Sequence, residues 1–262
     1  MSPEWVGAQS GKAYREQQRD QRRKVQFRVS INAGEAERSL RRFVCEAHAA
    51  LPVGVCCYGG PLATGSEVYM AAPYSLHDFI SGMEDLLQQG VDERTLLETG
   101  AALLSRLVNN PLAVPPEYRV PAINGRLPNH ATYLLHLSPT GMSVTAVVWG
   151  PGDQAPPHDH RAWGLIGVAA NQIQETRYRR LDNEADPDMA QLELSSVQIH
   201  KRGEVSILWP GVDEIHGMNN PTTENTVEIH VYGKDMKGLQ RTRFDPDTGA
   251  VRPFITDRYD ND

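Results

Sequence analysis

The chain has few cysteines and no long apolar run. Three of its 262 residues are cysteine, namely Cys45, Cys56 and Cys57, and they show no C-x-x-C spacing. An odd number of cysteines without metal-ligand spacing argues against a disulfide framework and is typical of a reducing cytoplasm. No run approaches the ~18–20 apolar residues that span a bilayer, and residues 1–30 lack the apolar segment of a secretory signal. We therefore expect a cytoplasmic protein without a membrane partner.

Positive charge is also in short supply, and it is unevenly distributed. The chain has 26 lysines and arginines against 33 acidic residues, for a net charge of −7, which disfavours a nucleic-acid-binding protein. Residues 1–44 hold ten basic and five acidic residues, so this segment is net +5 and the remainder is net −12. We interpret residues 1–69 as a basic N-terminal extension, either a solvated, disordered tail or a segment preceding a natural start at Met70.

Two helices are predicted across residues 75–109, at the start of a single domain over residues 70–262. Ser75 is suited to cap the first, with Asp78 at the capping-box position, and Gly90 ends it. Asp92 caps the second, which stops at 109–111, Asn-Asn-Pro. Both carry apolar residues at helical spacing, as expected for faces that pack on a core.

From about residue 131 the apolar period changes from 3.6 to 2, which predicts strands. Several short strands separated by turn signals are typical of an antiparallel sandwich or barrel, so we expect an all-β domain with N-terminal helices. The predicted strands are Thr132–Leu137, Ser143–Trp149, Trp163–Ala169, Ile173–Arg180, Glu204–Trp209, Glu214–Met218 and Thr226–Tyr232.

The placement of the histidines carries most of the chemical information. His158 and His160 flank Asp159, and residues two apart on a strand point to the same face, so both imidazoles could reach one metal ion. Asp159 would then point away and act as a structural group. By itself an H-x-H pair is weak evidence, because two surface histidines would look the same.

The surroundings of the pair strengthen the metal-site hypothesis. With Gly152 the string reads G-x5-H-x-H, and Pro210-Gly211 leads to His216 and then Asn220. These two strings resemble the signature motifs of the cupins, although four residues rather than two separate Gly211 from His216. The resemblance implies a double-stranded β-helix barrel in which the three histidines converge.

The carboxylate ligand that most cupins place after the H-x-H pair is missing. Gly164 and Leu165 stand at those positions. Three neutral imidazoles leave a ferrous ion its full +2 charge, whereas a carboxylate would reduce it. Such a site suits an anionic substrate that binds the metal directly, above all a thiolate.

Residues 74–250 resemble the cysteine dioxygenase-like thiol dioxygenases, and within them the bacterial 3-mercaptopropionate dioxygenases. Several separated motifs occur in the family's order. They are 150–167, GPGDQAPPHDHRAWGLIG; 132–136, TYLLH; 215–216, IH; 229–233, IHVYG; Arg241; and 244–249, FDPDTG.

This resemblance implies Fe(II) held by His158, His160 and His216, and the addition of both atoms of O2 to the sulfur of a small thiol carboxylic acid. The product would be a sulfinic acid. The family's Ser-His-Tyr relay maps onto Glu228, His230 and Tyr232, with a glutamate in place of the serine.

The resemblance also implies substrate contacts. Arg241 matches the arginine that engages the substrate carboxylate in the mercaptopropionate branch, whereas Thr132 replaces the arginine or glutamine found before the Y-L-L-H string. We also expect Trp163 to line the pocket. No cysteine lies beyond Cys57, which argues against the Cys–Tyr crosslink of the animal enzymes.

Alternatives remain open from the sequence. A cupin with another metal could be an isomerase or a lyase, and a non-catalytic cupin could bind a small ligand. His230 and Tyr232 could be buried polar groups of the core, and Arg241 could lie on the surface. His200 is expected in a loop. The physiological thiol and the oligomeric state do not follow from the sequence.

Overall fold

The computed structural model describes residues 73–212 and 214–262. The interpretations of residues 1–69 therefore concern a segment that lies outside the described residues. None of the helices in the described ranges is long and apolar enough to cross a membrane.

Two helices open the described part, as predicted. Helix α1 spans Leu76–Gln89, and the Oγ of Ser75 accepts from the backbone N–H of Asp78 at 3.2 Å while the side chain of Asp78 accepts in return. Gly90 ends α1 with φ of 63°, a conformation that glycine adopts at little cost. Helix α2 spans Glu93–Val108 and is capped by Asp92. A 3-10 turn at Pro116–Tyr118 follows.

In the described part of the chain, eleven strands form two antiparallel sheets. The five-stranded sheet has the order β1-β2-β9-β4-β7, and the six-stranded sheet has the order β11-β10-β3-β8-β5-β6. The strands are β1 His130–Leu137, β2 Ser143–Trp149, β3 Gln154–His158, β4 Gly164–Ala170, β5 Gln172–Arg180, β6 Leu192–Lys201, β7 Val205–Leu208, β8 Ile215–Asn219, β9 Thr226–Tyr232, β10 Arg241–Phe244 and β11 Val251–Phe254.

The helices cover the outer face of the five-stranded sheet, where the main core lies. Helix α2 packs against β4 and β7, α1 packs on α2, and all seven residues of both β2 and β9 are buried. One face of β9 packs on the helix side and is apolar. Its other face points toward the six-stranded sheet and carries polar residues such as His230 and Tyr232. The inner face meets the six-stranded sheet across a cavity that residues from both sheets line.

The prediction of an all-β barrel preceded by two helices is confirmed. Each of the seven predicted strands overlaps an observed one, whereas β3, β6, β10 and β11 were not predicted. The placement of His200 in a loop is wrong, because it is the penultimate residue of β6. Strand β6 lies at the edge of its sheet and is mostly exposed, so it lacks the apolar alternation that identifies a half-buried strand.

Candidate metal centre and its cavity

The structure brings His158, His160 and His216 together. His158 is the last residue of β3 and lies directly opposite His216 of β8, while His160 follows two residues beyond the end of β3. One ring nitrogen from each lies within 4.8 Å of the other two. Within the described part of the chain this group contains no carboxylate, in keeping with Gly164 and Leu165 at the usual glutamate positions.

Hydrogen bonds orient two of the three imidazoles. His158 donates through Nδ1 to the carbonyl oxygen of Pro156 at 2.9 Å, and His216 donates through Nδ1 to Oε1 of Glu175 at 2.6 Å. Because Nδ1 carries the proton in each ring, Nε2 keeps its lone pair for a metal. His160 is fully buried, and neither of its ring nitrogens has a hydrogen-bond partner among the described residues.

The environment keeps the histidines in the form that binds metal. Burial, reinforced by its histidine neighbours, holds the pKa of His160 well below the usual range, and burial and His216 do the same for His158. Neutral imidazole is the ligating form. Three converging neutral rings, one with an otherwise unpaired buried nitrogen, fit a divalent transition metal.

A buried carboxylate that the sequence reasoning missed supports His216. Glu175 of β5 accepts from His216, from Nε2 of His200 at 2.9 Å and from the hydroxyl of Ser206, and it also pairs with Arg177 at 3.2 Å. Burial opposes ionisation of Glu175, but the hydrogen bonds from His200 and His216 hold its pKa well below the usual range. The sequence feature that could have identified Glu175 is its position on a predicted strand two residues after the apolar Ile173, because residues two apart face the same side.

Asp159 points away from the cluster, as predicted, and connects its loop to β10. Its Oδ1 accepts from the backbone N–H of Thr242 at 2.7 Å, and its own N–H donates to the carbonyl of Thr242. On the other side of the loop, Glu214 accepts from the N–H groups of His160 and Arg161. Arg161 has φ of 54°, so this turn is held by side-chain contacts in a conformation that costs energy.

Glu228, His230 and Tyr232 form a hydrogen-bonded row along β9, beside the histidine cluster. His230 Nε2 lies 3.0 Å from Oε2 of Glu228, and its Nδ1 lies 2.9 Å from the hydroxyl of Tyr232. The indole of Trp149 also donates to Oε2 of Glu228, at 2.7 Å. The ring of Tyr232 stacks on that of His160, with centroids 5.2 Å apart.

The row has one proton order when Glu228 is ionised and His230 is neutral. A carboxylate only accepts, so His230 donates to Glu228 through Nε2, and in neutral His230 the Nδ1 must accept from the hydroxyl of Tyr232. Burial raises the pKa of Tyr232 far above its usual value, so the phenol keeps its proton. A protonated phenol at the cavity wall is thus linked through His230 to a fully buried carboxylate.

The cluster opens into a cavity of about 250 Å³ between the two sheets. Of the predicted site residues, His158, His216, His230, Tyr232, Arg241 and Thr132 line this cavity. Arg241 is 8% exposed and donates to Thr256, so the alternative of a surface arginine is wrong. The hydroxyl oxygen of Thr132 lies 3.3 Å from Nε2 of His130.

The prediction that Trp163 lines the cavity is wrong. Trp163 precedes β4 and packs against the main core instead. A Cβ on Gly233 would come within 2.4 Å of its indole Nε1, so the ring occupies the space that the glycine leaves free. Trp149 is the tryptophan that lines the cavity.

Further cavity residues were missed by the sequence reasoning. His130 pairs through Nδ1 with Asp153 at 2.8 Å and contacts the ring of Trp149 edge-on. Arg126 and Arg243 line the same cavity as Arg241. The ring of Phe254 in β11 contacts the guanidinium groups of both Arg241 and Arg243. The alternation of Arg241 and Arg243 on β10 was the available signal, but β10 itself was not predicted.

Comparisons with known proteins concern the fold. No family model matches the chain. An oxalate oxidase in complex with the substrate analogue glycolate is 21% identical, with a TM-score of 0.34 over 44% of this chain and 56% of the oxidase chain. The match thus spans little more than half the length of that oxidase.

Two further solved structures are similar to parts of the chain. A cupin 2 conserved barrel domain protein from Salinispora arenicola is 21% identical, with a TM-score of 0.30 over 42% of this chain and 80% of that one. A sugar phosphate isomerase of a cupin superfamily from Silicibacter pomeroyi is 13% identical, with a TM-score of 0.34 over 54% and 88%. The described part of this chain is built from two antiparallel sheets preceded by two helices.

Proposed function

We propose that the protein is an Fe(II)-dependent thiol dioxygenase that converts a small thiol carboxylic acid into the sulfinic acid. The observation that carries the proposal is the three-histidine cluster without a carboxylate, two of whose members line one cavity with Tyr232 and Arg241. The motifs that resemble the thiol dioxygenases supply the finer assignment. The alternatives, a cupin isomerase or lyase and a non-catalytic binding protein, leave the proton row on β9 without a role.

The metal would be held by Nε2 of His158, Nε2 of His216 and one ring nitrogen of His160. Iron(II), when bound, supplies the Lewis acidity that favours a thiolate and the redox chemistry that joins sulfur to O2. Because all three ligands are neutral, the protein leaves the metal charge uncompensated, and an anionic sulfur is the matching partner.

The residues of the chain would bind and orient the substrate and hold a proton at a defined atom. Arg241 offers a buried guanidinium for the carboxylate, where a charge-assisted hydrogen bond is strongest. The hydroxyl of Tyr232 holds a proton at the cavity wall, and His230 fixes its direction. Glu228, which also accepts from the indole of Trp149, in turn fixes the ring of His230.

The proposed reaction is balanced without another reactant. Both oxygen atoms of O2 become bonded to the thiol sulfur, and the thiol proton remains with the sulfinic acid product or is released. Sulfur is oxidised and O2 is reduced, so no external reductant is required. Near neutral pH the sulfinic acid releases its proton. The residues of the cavity wall that hold protons are those of the hydrogen-bonded row on β9.

The test is oxygen uptake by protein reconstituted anaerobically with Fe(II), against 3-mercaptopropionate, cysteine, cysteamine and mercaptosuccinate. We expect uptake with the thiol acids, formation of sulfinate by mass spectrometry, and much weaker uptake with cysteamine, which lacks a carboxylate. H216A should abolish iron binding. H136A is the matched control, because His136 of β1 contacts Glu84 and not the cavity. No thiol-dependent uptake by fully loaded protein would contradict the proposal.

A further inference from the structure

We propose that the substrate carries a second anionic group, and that Arg126 and Arg243 bind it while Arg241 binds the first. This inference rests on the proposed function, because it names the substrate class of the same cavity. The class is a small thiol acid with two anionic groups, for which mercaptosuccinate is the probe.

The charge of the cavity wall is one-sided. Three arginines line the cavity, and no aspartate or glutamate does so among the described residues. His158 and His216 of the histidine cluster line the same cavity, and a divalent metal there would add further positive charge. One substrate carboxylate would balance one arginine and leave the other two without a counter-charge.

Two of the three guanidinium groups have a buried donor without a partner in the described part of the protein, whereas Arg243 is exposed. The Nε of Arg241 and the Nε of Arg126 are buried and have no hydrogen-bond partner in the described ranges. No carboxylate of those ranges forms a salt bridge with Arg126, Arg241 or Arg243. Buried charged donors normally have partners, so unmatched donors that face a cavity indicate a ligand with several acceptors.

The strand geometry places two of these charges together. Arg241 and Arg243 alternate on β10, and the guanidinium carbon of each lies 4.4 Å from the centroid of Phe254. Arg243 is also the cross-strand neighbour of the candidate ligand His158. Arg126 enters from the loop before β1, where its N–H donates to Asp260 at 2.7 Å.

The three like charges disfavour one another. Burial lowers the pKa of Arg243, and the charge of Arg126 lowers it further; burial likewise lowers that of Arg241. A ligand with two anionic groups would relieve this repulsion at both ends, whereas a monoanion would do so at one. The cavity of about 250 Å³ has room for a small diacid.

The first experiment compares kcat/KM for mercaptosuccinate and 3-mercaptopropionate in the Fe(II)-loaded protein. We expect a preference of about tenfold or more for mercaptosuccinate, the size of one charge-assisted hydrogen bond. R126Q and R243Q should each reduce that ratio by about tenfold, mainly through KM for mercaptosuccinate. R94Q is the control, since Arg94 is exposed on α2 and pairs with Glu98.

A second measurement does not depend on activity. Succinate and propionate lack the thiol, and their binding can be followed by isothermal titration or through the fluorescence of Trp149 in the cavity wall. We expect succinate to bind at least about tenfold more tightly, and R243Q to remove the difference.

The two measurements separate the two proposals. If 3-mercaptopropionate is oxidised as efficiently as mercaptosuccinate and succinate binds no better than propionate, the second anion site is refuted while the dioxygenase proposal stands. If no thiol is oxidised but succinate binding is tighter and depends on Arg243, the dioxygenase proposal fails and the second anion site is supported.

Discussion

His216 shows how much of the candidate site depends on residues that never face the substrate. Its Nδ1 donates to Glu175, which also accepts from His200 and Ser206. Partners of this kind fix the ring orientation and the nitrogen that faces the metal. Glu175 is therefore a positioning residue for the metal site.

Replacing Glu175 by glutamine should weaken metal binding. The substitution replaces one acceptor oxygen by an NH2 group, which faces the donors of His200, Ser206 or His216 and cannot accept their hydrogen bonds. His216 would therefore lose its fixed orientation. We expect Fe(II) affinity to fall by about 10–100-fold, measured by competition with a chelator. E193Q, at an exposed glutamate paired with Arg179, should retain full affinity. Unchanged affinity in E175Q would contradict the role assigned to Glu175.

Removing the hydroxyl of Tyr232 tests the proton row. Y232F keeps the ring that stacks on His160 but removes the proton that His230 orients. We expect kcat to fall by about 100-fold, as for other positioned proton donors, with KM and iron content near those of the parent protein. Y133F is the control, because Tyr133 is buried in the main core and donates to the carbonyl of Val120. An unchanged kcat would show that His230 and Tyr232 are only core polar groups.

At the scale of elements, strands β4 and β9 position Tyr232 through a glycine. Gly164 of β4 lies directly opposite Tyr232 of β9, and an added Cβ would come within 2.9 Å of two ring carbons of that tyrosine. The ring therefore occupies the space that a side chain at position 164 would fill.

The substitution G164A should displace Tyr232 and cost about 1–3 kcal/mol of stability. G167A is a matched control on the same strand, because its Cβ would meet Leu104 and Val108 of α2 at 2.9 Å, on the helix side. We expect both variants to lose stability in thermal unfolding, and G164A alone to lose much of its kcat. Equal kcat in the two variants would contradict the proposed link between Gly164 and catalysis.

The elements that the sequence predicts are those with a strong apolar period. Helices α1 and α2 have capping residues and apolar stripes, and β2 and β9 are buried along their whole length, so each was recognised. Strand β3 reads Gln-Ala-Pro-Pro-His, and β10 and β11 have four residues each, which leaves little periodic signal. Arg243 was not predicted as a cavity residue because β10 was not predicted, and the direction of its side chain depends on that strand.

Local spacing in the sequence predicted the candidate metal ligands and the polar row on β9 better than it predicted the residues that surround them. The H-x-H pair and the alternation of Glu228, His230 and Tyr232 are contained in single segments, and the structure brings each set together. Glu175, His130 and Arg126 reach the site from separate elements, so their places depend on strand pairing across the barrel. Trp163 was assigned to the cavity by its position in a motif, but Gly233 gives its ring a different place to pack.

At the scale of the whole molecule, the net charge of −7 conceals the sign of the cavity. The acidic residues are distributed over the chain, but none lines the cavity in the described part, where three arginines do. Because the local field depends on the nearest charges, an acidic protein can select an anionic substrate.

Metal binding should stabilise the whole domain, because its ligands come from two strands and a loop that meet only in the folded state. Fe(II) at about 100 times its Kd should add about 2.7 kcal/mol to the free energy of unfolding. We expect Tm in anaerobic calorimetry to rise by several degrees in the parent protein and in H136A, and not in H160A. A rise of the same size in H160A would exclude His160 as a ligand.

The fate of isotopically labelled dioxygen tests the central claim most directly. Fe(II)-loaded protein would be supplied with a thiol acid and 18O2 in unlabelled water, and the product analysed by mass spectrometry before exchange with water occurs. A thiol dioxygenase places both labelled atoms on one sulfur, so we expect a doubly labelled sulfinate. A product with one labelled atom or none, or thiol consumption that yields only disulfide, would contradict the proposal.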